Sequence, residues 1–95
     1  MKRERIIALL KARGWTMDRW GHMQKKTRVT NLRTGQTHER IYRVKMQVRS
    51  LRYEAQAVEP PRQWLHIGGG YFKDCEELPD GRLKLGSVIF KAIST

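Results

Sequence analysis

Arg43, Lys45 and Arg49 follow one another at gaps of two and four residues in a stretch that alternates apolar and polar side chains. On an extended strand, residues at even spacing share a face, so these cations stand in a row with gaps of roughly 7 and 14 Å. Phosphates along a nucleic-acid strand repeat on a comparable scale, and such a row can neutralise several of them. Lys25, Lys26 and Arg28 fall on the neighbouring strand and broaden the row; Arg33 extends it at the tip of the intervening hairpin. Trp20, beside Arg19 and His22, has the polar phase partners Thr16 and Asp18, which makes it the aromatic residue best placed to stack on a base. For the other aromatic residues, Trp15 above all, packing in a core is the ordinary fate.

The charge distribution points the same way. Fifteen of the twenty Lys and Arg residues lie in residues 1–52, opposed only by Glu4, Asp18 and Glu39; residues 53–95 carry five basic and six acidic side chains. The first part therefore holds a net +12, the second −1, and the chain +11. Uncompensated charge of this size works against the compact state through self-repulsion. A polyanionic partner, RNA or DNA, is the expectation, with an acidic protein as the alternative. A solvated sheet face that uses charge against edge aggregation normally mixes signs, and this one hardly does.

Other chemistries find little support. Cys75 is the single cysteine, so neither an internal disulfide nor a multi-cysteine zinc site is available, and it reads as a small strand residue. His22, His38 and His66 are scattered without an i, i+4 pair or a carboxylate cluster, so no metal and no cofactor is expected. Gly68-Gly69-Gly70 lacks the following helix, lysine and hydroxyl of a phosphate-cradling loop and reads as a bend or bulge between strands. The apolar run of residues 6–10 is too short for a secretory segment, and no stretch has the length to cross a bilayer. The expectation is a cytoplasmic, reduced protein with no membrane partner.

Ninety-five residues with 39% hydrophobic and 31% charged content suit one domain with a modest core, residues 1–95. Residues 2–13 form the clearest helix: Ile6, Leu9 and Leu10 recur at helical spacing, and Gly14 supplies a left-handed stop. Residues 15–20 and 22–30 read as strands, 31–36 as a hairpin loop, and 37–48 as the strongest strand, with Tyr42, Val44, Met46 and Val48 facing a core. At Leu51 the apolar phase moves by one residue, which means a bulge or a turn near Arg49 and Ser50. Pro60 and Pro61 end that run. Residues 63–67 and 71–78 resume extended structure, Pro79-Asp80-Gly81 makes a tight turn, and Val88-Ile89-Phe90 forms a last strand or short helix.

The run from Ile6 to Trp15, Ile-Ile-Ala-Leu-Leu-Lys-Ala-Arg-Gly-Trp, followed by Arg19, Gly21 and His22, resembles the opening of the HicA family of small toxin ribonucleases. The resemblance implies a fold like the double-stranded-RNA-binding domain, with His22 at the position of the family's catalytic histidine. Trp20-Gly21-His22 stands where that family has Gly-Ser-His, so the serine is absent, and the likeness covers about the first quarter of the chain. RNA cleavage would use His22 as acid or base near the 2′-hydroxyl, with Arg19 or Lys25 stabilising the phosphorane. In general character the chain is also similar to small basic proteins of phages and prophages.

The resulting expectation is an α+β fold, one N-terminal helix packed on a curved antiparallel sheet of about five or six strands. The expected function is non-catalytic nucleic-acid binding through Lys25, Lys26, Arg28, Arg33, Arg43, Lys45 and Arg49, with Trp20 stacking. Two alternatives stand beside it: a HicA-like ribonuclease using His22, and an assembly module that docks an acidic protein.

Overall fold

A computed structural model describes residues 1–57 and 63–93. The chain runs as α1 (Arg3–Lys11), β1 (Thr16–Met17), β2 (Met23–Thr30), β3 (Thr37–Met46), β4 (Ser50–Ala57), β5 (Leu65–Tyr71), a 3-10 turn (Phe72–Asp74), β6 (Cys75–Glu77), β7 (Leu83–Leu85) and β8 (Val88–Phe90). This is an α+β architecture, but its strands form two sheets. Strands β1 to β5 pair in sequence order into an antiparallel five-stranded sheet, and β6 to β8 make a small antiparallel sheet of their own.

Helix α1 buries Ile6, Leu9 and Leu10, the stripe that the periodicity predicts. Gly14, at φ 88°, reverses the chain and lets the Trp15 amide donate to Leu10 O. Arg13 anchors this end: its guanidinium donates to the carbonyls of Leu9, Gly81 and Lys91. Cations at a helix C-terminus meet unsatisfied carbonyls and the negative end of the helix dipole, so local electrostatics and tertiary contact agree here.

The core joins α1 to the inner face of the large sheet and to the small sheet. It comprises Ile6, Leu9, Leu10, Trp15, Met23, Val44, Met46, Leu51, Cys75, Leu83 and Leu85. Trp15, Tyr42, Tyr53 and Phe90 form a contiguous aromatic group beside it, with Tyr42 and Tyr53 stacked at 5.8 Å between ring centres. These rings pack together and so are not free to stack on a base. Cys75 is buried, and burial raises its thiol pKa.

Several boundaries differ from the sequence reading. Only Thr16 and Met17 pair as β1, because the Asp18 carboxylate accepts the amides of Trp20 and His22 and folds residues 18–22 into a turn. Strand β3 ends at Met46: the Gln47 amide donates to Ser50 O, closing a hairpin that takes Val48 out of the sheet and leaves it 89% exposed. The phase change before Leu51 is therefore a turn, and Val48 is not a core residue.

Gly68, Gly69 and Gly70 lie inside β5, not between strands. They form the seam where the two sheets meet: Ser87 N donates to Gly69 O, and Gly69 N donates to Ser87 Oγ. A Cβ on Gly68 would sit 2.6 Å from Ser87 Oγ, and one on Gly70 would sit 2.9 Å from the Gly86 Cα. Close backbone approach is what requires glycine here. The Asp80-Gly81 turn forms as expected, with the Gly81 amide donating to Leu78 O, and the last segment is strand β8. The paired prolines Pro60 and Pro61 lie outside the described residues.

Candidate nucleic-acid interface

The register of the large sheet decides which cations stand together. Met23, Val44 and Tyr53 pair across β2, β3 and β4 on the inner face, so Gln24, Arg43 and Glu54 form the adjacent outer row. By the same parity, Lys26 and Arg28 of β2, Lys45 of β3 and Arg52 of β4 point outward. Of the seven predicted phosphate ligands, four share this face: Lys26, Arg28, Arg43 and Lys45. Arg33 occupies the exposed β2–β3 loop, and Arg49 is exposed in the β3–β4 turn. Lys25 does not belong with them. Adjacent residues on a strand face opposite sides, and Lys25 turns inward to donate through Nζ to Arg13 O at 2.9 Å.

The outward cations differ in what they meet. Arg43 donates through Nε and Nη2 to Oε1 of Glu54, at 3.1 and 2.7 Å, and its guanidinium lies 4.0 Å from the centre of the Trp64 ring. Glu54 is buried, so this pair is a fixed part of the sheet. Lys26 and Arg28 both lie within 4 Å of Glu39, two cations to one carboxylate, at exposed positions where such contacts hold little energy. Lys45 and Arg52 are directly opposed across β3 and β4. Among the described residues, neither has a carboxylate within salt-bridge distance. Arg52 instead donates through Nε to His66 Nδ1 at 3.4 Å, a neutralising contact for neither.

The turn of residues 18–22 borders the Lys45 end of this face. Trp20 is 65% exposed, and the Arg19 guanidinium lies 4.4 Å from the centre of its ring. His22 follows, just beyond the last β2–β3 rung at Met23 and Val44. Its Nδ1 accepts the Met46 amide at 2.9 Å, which requires a lone pair there and places the imidazole proton of the neutral form on Nε2. Burial lowers the His22 pKa; Asp18 opposes that, while Arg43, Lys45 and Arg3 add to it. The imidazole is thus held neutral, with one nitrogen committed to the backbone and the other carrying a hydrogen-bond donor.

Two members of this region escape a reading from the sequence pattern alone. Arg52 was legible in principle: once a turn is placed before Leu51, the inward phase of Leu51 and Tyr53 turns Arg52 outward. Trp64 gave no local signal, since it meets Arg43 only through the pairing of three strands. Among the described residues, no group of His, Cys, Asp or Glu is arranged to hold a metal ion, and no helix is long and apolar enough to cross a membrane. Comparison of the chain with protein-family models, with curated proteins and with solved structures gives no match.

Proposed function

We propose that this protein binds nucleic acid without cleaving it, through the outer face of the large sheet and the adjoining loops. The opposed Lys45 and Arg52, with no carboxylate in salt-bridge reach among the described residues, carry the reading. Like charges placed directly across a sheet destabilise it, and a bound polyanion turns that cost into a gain. Lys26, Arg28 and Arg33 continue the positive face along β2 to the hairpin tip, while Arg49, Arg19 and Trp20 flank its other end. Arg43 acts here by holding Glu54 and Trp64 in place, and Lys25 by closing the end of α1.

His22 fits this reading as a phosphate donor through Nε2–H better than as a general base. A base needs a free lone pair, and its Nδ1 lone pair is engaged by the Met46 amide. A general acid would need the imidazolium, which burial and then the neighbouring cations disfavour. The contribution expected of His22 is one neutral hydrogen bond.

Titration of DNA and RNA across a range of salt concentrations tests the proposal. If about five phosphates are engaged, log affinity falls against log salt with a slope near −4 to −5 on duplex DNA. The double variant Lys45→Ala/Arg52→Ala makes that slope shallower by roughly two. An unchanged slope removes both residues from the interface. Binding that persists only to an acidic protein after nuclease treatment replaces nucleic acid as the partner. RNA cleavage by the wild type that His22→Ala abolishes overturns the non-catalytic reading.

A further inference from the structure

Among the described residues, the β2–β3 hairpin outruns the sheet that carries it. Strand β4 pairs with β3 only as far as the Arg40–Ala57 rung, whereas the β2–β3 ladder continues through Arg28–Glu39 and Val29–His38 to Thr30–Thr37. Among the described residues, the ladder beyond that rung has no third strand. It forms a two-stranded ribbon extending roughly 10 Å before its loop begins. Every residue from Arg28 to His38 is exposed. Arg28 and Arg33 are its cations, and Glu39 is its one carboxylate.

The tip is an ordered turn. The Asn31 amide donates to Gln36 O and the Gly35 amide to Asn31 O, each at 2.8 Å; the Asn31 side chain accepts the Arg33 amide at 2.9 Å, and Gly35 takes φ 72°. This turn presents Leu32, which is 98% exposed, at the far end of a cationic ribbon. A leucine held out by a turn with conformations already restricted has lost entropy without burying any surface, which makes sense when a ligand completes the burial.

We infer that the β2–β3 ribbon enters the minor groove of double-stranded DNA and that Leu32 wedges against a base step there. The inference rests on the nucleic-acid reading above. Two-stranded ribbons enter either groove; the minor groove, about 6 Å wide and about 7.5 Å deep, must widen to take this one, and a wedge at a base step opens it. Apolar side chains carried by basic segments open base steps from this side. The charge excludes an apolar protein surface as the preferred occupant, since Arg28 and Arg33 flank the leucine. Duplex RNA is disfavoured because its minor groove is wide and shallow and its major groove too deep and narrow to read.

The test uses the full chain and three ligands: a duplex DNA containing 2-aminopurine at a TA step, the matching single strand, and duplex RNA of the same length. Wild-type protein is expected to bind the duplex DNA most tightly and to raise its 2-aminopurine fluorescence as the base unstacks. Leu32→Ser is expected to weaken duplex DNA binding roughly tenfold, the scale of one buried leucine, to abolish the fluorescence rise and to leave the salt slope unchanged. Val48→Ser, at another largely exposed apolar residue, in the turn at the other end of β3, is the control and should change neither. Leu32→Ser lies on a fully exposed side chain, so folding is not at issue. If wild type binds duplex DNA with no fluorescence rise, or if Leu32→Ser binds it as wild type does, the wedge is refuted while the nucleic-acid reading stands. Tighter binding to the single strand or to duplex RNA refutes the assigned ligand. If none of the three is bound at low salt, the underlying reading fails first.

Discussion

Arg43–Glu54 and Lys45–Arg52 are neighbouring cross-strand pairs on one face of the same two strands, yet they carry opposite physical meanings. In the first, a guanidinium donates twice to a buried carboxylate and stacks on Trp64, so charge is satisfied inside the fold. In the second, two cations oppose each other with no carboxylate in reach among the described residues. One rung satisfies its charge within the fold, and the other sets two like charges against each other. A row of basic residues on a strand is therefore not a uniform binding surface, and only the charge across each rung tells which members are free to bind.

The largest effect should come from breaking the satisfied rung. Arg43→Ala strands the buried Glu54 carboxylate and should cost about 3 kcal/mol or more, seen as a fall in denaturation midpoint. Replacing both partners, Arg43→Met with Glu54→Leu, should recover most of that loss, because apolar packing can substitute for a buried pair. If Arg43→Ala is as stable as wild type, the distinction between the rungs collapses. A gentler measurement sharpens the other side: Arg52→Glu places a carboxylate opposite Lys45. Stability should rise by roughly 0.5 kcal/mol while nucleic-acid affinity falls, and a variant that loses both properties would contradict the proposed role.

Acid should produce the smallest effect. The folded protein holds the His22 pKa below its ordinary value, chiefly by burial. His22 then contributes stability that is complete above the unfolded pKa near 6.5 and is lost as pH falls through the lower folded value. Comparing the pH dependence of stability for wild type and His22→Gln should show that this component disappears with the imidazole. An identical pH dependence would mean that burial is not holding the ring neutral.

Legibility followed the range of the interactions involved. Helix α1, the β2–β3 hairpin with its Gly35, and the Asp80-Gly81 turn were readable because periodicity and turn chemistry act within a few residues. The end of β3 was not: Val48 continues the alternating pattern, and only the hydrogen bond from Gln47 to Ser50 removes it from the sheet. The division of the strands into two sheets was hidden as well. It depends on Gly68, Gly69 and Gly70 meeting the Gly86-Ser87 turn, a contact between segments eighteen residues apart at Gly69 and Ser87. At the candidate site, the parity of β3 correctly put Arg43 and Lys45 on one outward face. Lys25 and Lys26 are neighbours in sequence but face opposite sides of β2, and Arg52 is fixed on the outward face only by the turn that precedes Leu51.

Residue types and their order alone determined an α+β chain whose first half carries a large positive excess, and the strand phase along which much of it would project. They could not determine which of those charges remain available. That choice belongs to strand register and packing, which set Glu54 against Arg43 and Arg52 against Lys45, and which carry Leu32 past the end of the sheet. Coulomb energy depends on distance through space, and distances between segments far apart in the chain exist only once the fold has formed.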